Sequence, residues 1–266
     1  MTGAAIGLEL RRSRTLVLWL GIVTALYAGL ISLFYANVAE NAAEWEKLLE
    51  VYPKEIMLAF GIEGNFADPG VFLGSYVYGF LWPFIAAISA IVLGTRVAAD
   101  VDRGFADVVL ATPLDRRRHL VASIAVQLVA IALLALVMVG FILLADLLIE
   151  PDFPAANVAL SAIHMTAFGI AIAGVTTLLA VLLLDRGRAA AIAAGVIIVM
   201  YLLNVIAAIA PDYDQLAVLS AFRYLSVKEL IAEGIYPFES SLLFLAVGVG
   251  GWVLALLAFR NRDLAA

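Results

Sequence analysis

Long uninterrupted runs of apolar residues are the dominant pattern of this chain. A helix needs about 20 apolar residues to cross the hydrocarbon core of a bilayer, and six windows approach or exceed that length. These windows are residues 15–35, 71–94, 120–147, 158–184, 189–210 and 242–259. Their apolar residues do not alternate with polar ones, as the strands of a membrane barrel require. The pattern therefore predicts an all-α polytopic membrane protein with six transmembrane helices, in one transmembrane domain that covers residues 1–266.

Two of the segments between these windows are long and have a helical pattern of their own. Residues 41–52 repeat apolar side chains at helical spacing, which predicts an amphipathic helix. Pro53 suits the first turn of a second short helix, which Gly61 would cap. Residues 211–237 again mix apolar and charged positions. We expect these short helices to lie on the membrane surface or to cover the bundle.

Composition makes the bilayer the solvent of this protein. Hydrophobic residues make up 65% of the 266 residues and the mean hydropathy is +1.06, whereas soluble globular domains have roughly 45–50% apolar residues. The chain has no cysteine, so neither a disulfide nor a thiolate metal site is available, and we expect no metal site. No small-residue cleavage pattern follows the first apolar run, which predicts a retained first helix and not a signal peptide.

The positions of Lys and Arg predict how the six helices are oriented, because cytosolic loops are enriched in both residues. If the N-terminus is cytosolic, the inner segments hold twelve of the sixteen basic residues: Arg11, Arg12, Arg14, Arg96, Arg103, Arg116, Arg117, Arg118, Arg186, Arg188, Arg260 and Arg262. The outer segments hold the other four: Lys47, Lys54, Arg223 and Lys228. Most carboxylates fall on the outer segments. Both termini are therefore predicted to be cytosolic, with an acidic outer face.

Few polar groups fall inside the predicted spans. His164 is the titratable side chain expected below the headgroups, and Gln127 and Asn204 are the main amides at depth. For all three, hydrogen bonds between helices are the favoured interpretation, and a place on a substrate path is the alternative. Pro83 predicts a kink in the middle of the second span, which would serve as a gate hinge or as static packing. Gly70 and Gly74 would permit a close helix approach.

The segment between the second and third windows is the most informative part of the sequence. Phe105 and Val109 contribute to a short apolar face on a helix that opens after Gly104 and that Pro113 ends. Such a helix is too short to be stable alone. It suits an element that docks into a groove on a motor subunit, and an interfacial loop that obeys the positive-inside rule is the alternative.

Residues 102–116, with the sequence DRGFADVVLATPLDR, resemble the signature of ABC-2 type permeases, the transmembrane subunits of type V ABC exporters. In that signature an acidic residue, a glycine, a short apolar helix and a proline step follow the second span. Four further stretches are similar to the same family: Glu9 to Arg12, Pro53 to Glu55, Leu219 to Tyr224, and Phe259 to Leu264.

The resemblance implies that residues 104–112 form a coupling helix seated on an ATP-binding partner. Its predicted contact residues are Arg103, Gly104, Phe105, Asp107, Val108, Val109, Leu110, Pro113 and Arg116. A second, smaller contact would come from Asp185, Arg186 and Arg188, for which a plain basic hairpin is the alternative. The implied partners are an ABC ATP-binding subunit, which would hold ATP and Mg, and a second permease half that is identical or similar. No nucleic-acid partner and no cofactor bound by this chain are expected.

These observations favour a transporter subunit over an enzyme. A P-loop needs a Gly-Lys-Ser/Thr step, but the three lysines follow Glu46, Pro53 and Val227. An ion-coupled secondary transporter is the alternative function, although such carriers place charged residues at the midplane. An intramembrane hydrolase lacks its motifs here. The predicted location is the plasma membrane of a prokaryote, as a multi-pass protein, and the substrate stays open.

Overall fold

The computed structural model is a bundle of long helices, and its description covers residues 2–59, 61–62, 64–102, 116–149 and 153–260. Six helices within these ranges are long and apolar enough to cross a membrane. No β-strand occurs in the same ranges. The six predicted windows lie within these helices to within one residue. The all-α class and the multi-pass membrane character of the chain are therefore confirmed.

The helices follow one another in a simple order. Span one is α1 (Thr2–Glu40), and the segment after it contains α2 (Ala42–Leu49) and α3 (Lys54–Ala59). Span two comprises α4 (Pro69–Leu73), a π-helix (Gly74–Leu81), α5 (Trp82–Gly94) and α6 (Arg96–Asp102). Spans three, four and five are α7 (Arg116–Ile149), α8 (Ala155–Leu183) and α9 (Arg186–Ile209). Two 3₁₀-helices (Pro211–Leu219 and Ala221–Leu225) and α10 (Lys228–Glu233) precede span six, which is α11 (Phe238–Arg260).

Side-chain caps fix the beginnings of two spans. The Asp68 carboxylate accepts a hydrogen bond from the backbone N–H of Val71 at 3.0 Å, and Pro69 occupies the first turn. Asp185 caps span five in the same way, because its carboxylate accepts from the backbone N–H of Arg188 at 2.9 Å. Such caps satisfy N–H groups that have no partner inside the helix. They place sharp helix starts where the chain turns back into the bundle.

Span two departs from a regular α-helix just before Pro83. Proline has no N–H and its ring crowds the carbonyl four residues earlier, which here belongs to Gly79. The backbone adopts a π-helix over Gly74–Leu81, and the N–H of Trp82 donates to the carbonyl of Val77, five residues back. A π-helix thus ends beside Pro83, and the kink predicted at this residue stays a prediction. Such segments often lie at functional sites.

Spans two and four form the centre of the bundle. In each of them 61% of the residues in the most apolar window are buried, against 11% in span five. Trp82 is fully buried and its indole Nε1 donates to the carbonyl of Met165 at 3.0 Å, which joins the two spans. Span six packs directly against span four, since a Cβ on Gly174 would overlap the backbone of Gly248. Spans two, four and six therefore form a rigid axis.

One end of the bundle gathers the ends of the spans around arginines. Val97, Leu120, Val181 and Phe259 form an apolar cluster that joins spans two, three, four and six. A second cluster of Ala98, Ala180 and Ala189 adds the start of span five. We call this end the basic side and the opposite end the acidic side. The predicted cytosolic orientation of the basic side stays a prediction.

The acidic side is covered by residues 211–237, the segment before span six, which we call the covering segment. The glycines at positions 70 and 74 lie against Lys228 of α10, because a Cβ on Gly70 would be 2.8 Å from the Lys228 carbonyl oxygen. The close approach expected from these glycines is therefore made to α10. Tyr35 of span one donates its hydroxyl to the carbonyl of Ala67 at 2.6 Å. The first contact holds the covering segment on span two. The second holds the residues before span two on span one.

Candidate functional site

Five polar side chains meet on the basic side, where spans one, two and three come together. Glu9, Arg12, Arg96, Asp100 and His119 form this group, which we call the charge cluster. The carboxylates are buried, with exposed fractions of 1% for Glu9 and 5% for Asp100. A buried carboxylate is costly unless it is paired and hydrogen-bonded. The positions of the cluster's cations therefore decide whether this end is stable.

Helical spacing brings the members of the cluster onto the same helix faces. Glu9 and Arg12 are three residues apart on α1, and Arg96 and Asp100 are four apart on α6. Side chains at these spacings are neighbours on a helix surface. Each helix thus presents one cation and one carboxylate to the other. The two helices face each other with complementary charge.

Arg12 makes the shortest contacts between spans one and two. Its two terminal nitrogens lie 2.7 Å and 3.2 Å from the two carboxylate oxygens of Asp100. The nitrogen that makes the longer of these contacts also lies 2.8 Å from Glu9 Oε1. A guanidinium that grips both oxygens of a carboxylate is among the stronger polar contacts in proteins, and it also fixes orientation. The start of span one is therefore held to the end of span two.

Arg96 makes the reciprocal contact from span two to span one. Its Nη1 lies 3.3 Å from Glu9 Oε2 and donates to the Ser13 hydroxyl. Its Nη2 donates to the Arg12 carbonyl at 3.1 Å. Only 13% of the Arg96 side chain is exposed, compared with 32% for Arg12. The less exposed guanidinium, that of Arg96, thus pairs with the less exposed carboxylate, that of Glu9.

His119 connects the same cluster to span three. Its Nε2 lies 3.2 Å from Asp100 Oδ2. Asp100 precedes the segment 103–115 and His119 follows it, so this contact joins the two helices between which that segment runs. Asp100 is therefore shared between Arg12 of span one and His119 of span three. A displacement of the end of span one or of span three would therefore change the contacts of the same Asp100 carboxylate.

The cluster contains three groups that could ligate a cation, namely Glu9, Asp100 and His119, with ligand atoms within 4.8 Å of one another. Two guanidiniums already pair with the two carboxylates. The charges of these four groups therefore cancel without an ion. The arrangement fits a salt-bridge network and gives no support for a metal site.

The residues predicted to contact an ATP-binding partner fall mostly outside the described part of the chain. Arg103, Gly104, Phe105, Asp107, Val108, Val109, Leu110 and Pro113 lie in the segment 103–115, which the structure does not describe. Arg116 is the first residue of α7. The coupling helix at residues 104–112 therefore stays a prediction.

The predicted second contact is a tight turn between spans four and five on the basic side. Leu184 adopts a left-handed backbone with φ of 51°, and span five begins immediately after Asp185. Besides capping the helix, Asp185 pairs with Arg188 Nε at 3.1 Å. The Arg188 side chain is 80% exposed. The turn is thus pre-formed and accessible, with Arg186 in its first helical position.

Two of the predicted intramembrane polar residues lie in hydrogen-bonded contacts between helices. The Gln127 amide oxygen accepts from Thr177 Oγ1 at 3.0 Å, which joins spans three and four. His164 Nδ1 lies 2.7 Å from Ser241 Oγ of span six, and its Nε2 lies 3.1 Å from the Tyr224 carbonyl oxygen. A carbonyl can only accept, so Nε2 carries the proton. His164 thereby joins span four to span six and to the covering segment.

Asn204, the third of these residues, lines a cleft on the acidic side. The cleft has a volume of about 590 Å³ and lies between spans one, two and five and the covering segment. Its lining includes Tyr27, Phe80, Asn204, Arg223 and Lys228. Asn204 is half-buried. The sequence thus indicated one member of this cleft without indicating its neighbours.

Sequence similarity adds no assignment to this geometry. No protein-family model and no curated protein matches the chain. Evidence about the function therefore comes from the charge cluster, the bundle and the resemblance carried by residues 102–116.

Proposed function

We propose that this chain is the transmembrane permease subunit of an ABC exporter. ATP hydrolysis by a separate nucleotide-binding subunit would drive a substrate across the membrane through a path shared with a second permease half. The basic side would face the cytosol of a prokaryotic cell, in agreement with its share of arginines. The segment 103–115 would meet the ATP-binding partner there.

The charge cluster is the observation that carries this proposal. Asp100 is held by Arg12 of span one and by His119 of span three, directly beside the two ends of the segment 103–115. Energetic coupling travels through contiguous networks of hydrogen bonds, ion pairs and rigid helices. A force applied to the segment would therefore reach spans one, two and three together.

The burial of the spans supports a division into a rigid axis and moving parts. Span four packs closely against both span two and span six, whereas only 22% of the most apolar window of span one and 11% of that of span five are buried. Weakly buried helices are the ones that can tilt against the axis and meet a second permease half or lipid. Motion of the motor would rock spans one and five against this axis and open a path between the halves.

The polar groups inside the spans favour ATP as the source of energy. Ion-coupled carriers hold their ions with charged residues or broken helices near the midplane. Gln127 and His164 instead make hydrogen bonds to neighbouring spans. No Asp or Glu falls between residues 15 and 35, 71 and 94, or 158 and 184. Because these stretches offer no carboxylate for a coupling ion, the energy for transport would come from ATP hydrolysis by the separate subunit.

The proposal is tested by purifying the chain together with whatever ATPase is encoded beside it. Replacing both Phe105 and Val109 by Asp places charge on the predicted docking face, so we expect loss of assembly or an altered rate of ATP turnover. An unaltered rate with intact assembly would remove the coupling role. Transport by the chain alone, driven by an ion gradient, would favour the secondary carrier.

A second variant separates docking from force transmission. Arg12→Met removes the contact between spans one and two, so the complex should assemble while ATP turnover loses its response to substrate. Arg11→Met is the matched control, because Arg11 is exposed beside the cluster. Equal behaviour of the two variants would show that the cluster transmits nothing.

A further inference from the structure

The segment after span one begins at the depth where the apolar surface of that span ends. Leu26, Leu30 and Phe34 are exposed and lie four residues apart, so they form an apolar stripe on one face of α1. The next exposed side chain after Phe34 is that of Asn37. A change from apolar to polar exposed side chains marks the boundary between the hydrocarbon core and the headgroups. On the acidic side this boundary therefore lies between Phe34 and Asn37.

Trp45 of α2 lies at the same boundary. Its ring meets that of Phe34 edge-on, with the ring centroids 5.6 Å apart, and its indole Nε1 donates to Asn37 Oδ1 at 3.2 Å. Tryptophan is enriched at membrane interfaces, because its ring is apolar while its N–H needs a polar partner. These two contacts hold α2 at the depth of the headgroups.

Exposed apolar side chains follow Trp45 on this helix. Leu48, Val51 and Tyr52 are 49%, 80% and 52% exposed, and we call these three residues the outer patch. The backbone N–H of Tyr52 donates to the carbonyl of Leu49 at 3.0 Å, so the helical turn continues past the end of α2. Residues spaced three and four apart on such a turn share one face. An exposed apolar face beside the membrane boundary fits burial between headgroups and acyl chains.

The polar residues around the outer patch are mostly acidic. Residues 44–55 hold four carboxylates against two lysines, which gives this stretch a net charge of −2: Glu44, Glu46, Glu50 and Glu55 against Lys47 and Lys54. Glu46 and Glu50 lie opposite Leu48, because two residues correspond to about 200° of helix rotation. Anionic lipids attract basic segments and repel acidic ones, whereas zwitterionic lipids carry no net charge. The charge of this stretch therefore favours a zwitterionic surface.

We propose that the outer patch inserts into the lipid leaflet on the acidic side, at the depth of the headgroups, and that it prefers a zwitterionic to an anionic lipid surface. α2 then lies along the membrane, with its exposed apolar face toward the acyl chains and the carboxylates of Glu46 and Glu50 toward water. Trp45 joins this helix to the end of span one. Insertion needs neither ATP nor a partner chain, so it holds whether or not the chain is an exporter.

Insertion is measured on the purified full chain in phosphatidylcholine vesicles, with the fluorophore NBD attached to Leu48→Cys. The natural chain has no cysteine, so the label marks one position. Two quenchers are compared: phosphatidylcholine with a spin label near its headgroup, and iodide on both sides of the membrane. We expect strong quenching of Leu48→Cys by the spin-labelled lipid and weak quenching by iodide. Glu46→Cys is the matched control on the opposite face of α2, and it should show the reverse.

A second label position keeps the test valid if a fluorophore at Leu48 disturbs the fold. Val51→Cys carries the label at the most exposed residue of the outer patch, and it should be quenched in the same way as Leu48→Cys. Equal quenching of the patch and of Glu46→Cys by the spin-labelled lipid would overturn the proposal. Protection of the patch from both quenchers would also overturn it, and would indicate that a second copy of the chain covers this face.

The lipid preference is tested by replacing part of the phosphatidylcholine with phosphatidylglycerol at low salt. The net charge of the stretch should shift the equilibrium about tenfold away from insertion, so quenching of Leu48→Cys by the spin-labelled lipid should fall. The same label combined with Glu46→Gln and Glu50→Gln, which make the stretch neutral, should lose this sensitivity. Equal quenching in both lipids, or an equal fall in the neutral variant, would overturn the preference for a zwitterionic surface.

Discussion

The two ends of this bundle use charge in opposite ways. On the basic side, Arg12 and Arg96 face Asp100 and Glu9 at close range, and both carboxylates are buried. On the acidic side, Arg223 meets Asp214 at 3.5 Å in the open, beside a cleft. The first arrangement satisfies its charges within the protein. The second leaves its charges largely to the solvent.

This difference shows which charges hold the fold together and which contribute little to it. Removing one partner of a buried, hydrogen-bonded pair leaves an uncompensated charge in a poorly solvated place. Removing one partner of an exposed pair leaves a charge that water solvates. Stability should therefore respond more strongly to the loss of a charge on the basic side than on the acidic side. Variants at Gly174, Arg12, Asp185 and Arg223 test this contrast.

The contrast between the two ends requires that spans four and six stay packed together along the bundle. Gly174→Ala is designed to disrupt that packing. The new Cβ would overlap the backbone of Gly248, so span six must move, at a cost of about 3 kcal/mol of unfolding free energy. Unfolding in mixed micelles, followed by tryptophan fluorescence, measures the loss. Gly140→Ala is the control, because nothing lies within 4 Å of its new Cβ. Equal stability of the two variants would contradict the close packing of spans four and six.

The contacts of Arg12 with Asp100 and Glu9 are tested by Arg12→Met, which keeps the aliphatic stem and removes the charge. We expect a loss of about 2 kcal/mol, below the 3–5 kcal/mol typical of fully buried pairs, because Arg12 is partly exposed. The same unfolding assay measures it, with Arg11→Met as the control. If Arg12→Met is as stable as Arg11→Met, the charge cluster does not hold spans one and two together.

The turn between spans four and five gives a smaller effect on the same side. Asp185→Ala removes the cap on the N–H of Arg188 and should cost about 1 kcal/mol. Asp185→Asn keeps a side-chain acceptor and should restore most of the loss. A deficit of the same size in both variants would assign the effect to charge and not to capping.

The acidic side should show the smallest change in stability. Arg223→Gln removes an exposed pair with Asp214, so we expect a change below about 0.5 kcal/mol. A stability loss comparable to that of Arg12→Met would erase the contrast between the two ends.

Local patterns in the sequence predict the bundle better than they predict the sites. The six spans follow from the length of apolar runs, and α2 (Ala42–Leu49) lies within the predicted amphipathic segment 41–52. Pro83 indicates an irregular span two, but a proline cannot say that the irregularity is a π-helix. Gly70 and Gly74 indicate a close approach, but not that its partner is α10.

The charge cluster could not be found from spacing alone. Its key pairs join residues 87 and 88 positions apart, so no local pattern brings them together. One hint was present, since Glu9 is an isolated acid among the basic residues before the first apolar run. A buried partner of opposite charge is the physical reason for such a residue. The sequence indicates for Arg96 and His119 only that they belong to a basic segment predicted to be cytosolic.

The central claim is that the two ends face different compartments, and cysteine labelling tests it most directly because the natural chain has no cysteine. Arg188 on the basic side and Tyr213 on the acidic side are both well exposed. Each is replaced by Cys in a separate variant, and intact cells are treated with a membrane-impermeant maleimide. The account predicts labelling of Tyr213→Cys in intact cells and labelling of Arg188→Cys only after permeabilisation. The reverse pattern, or equal labelling of both variants in intact cells, would contradict it.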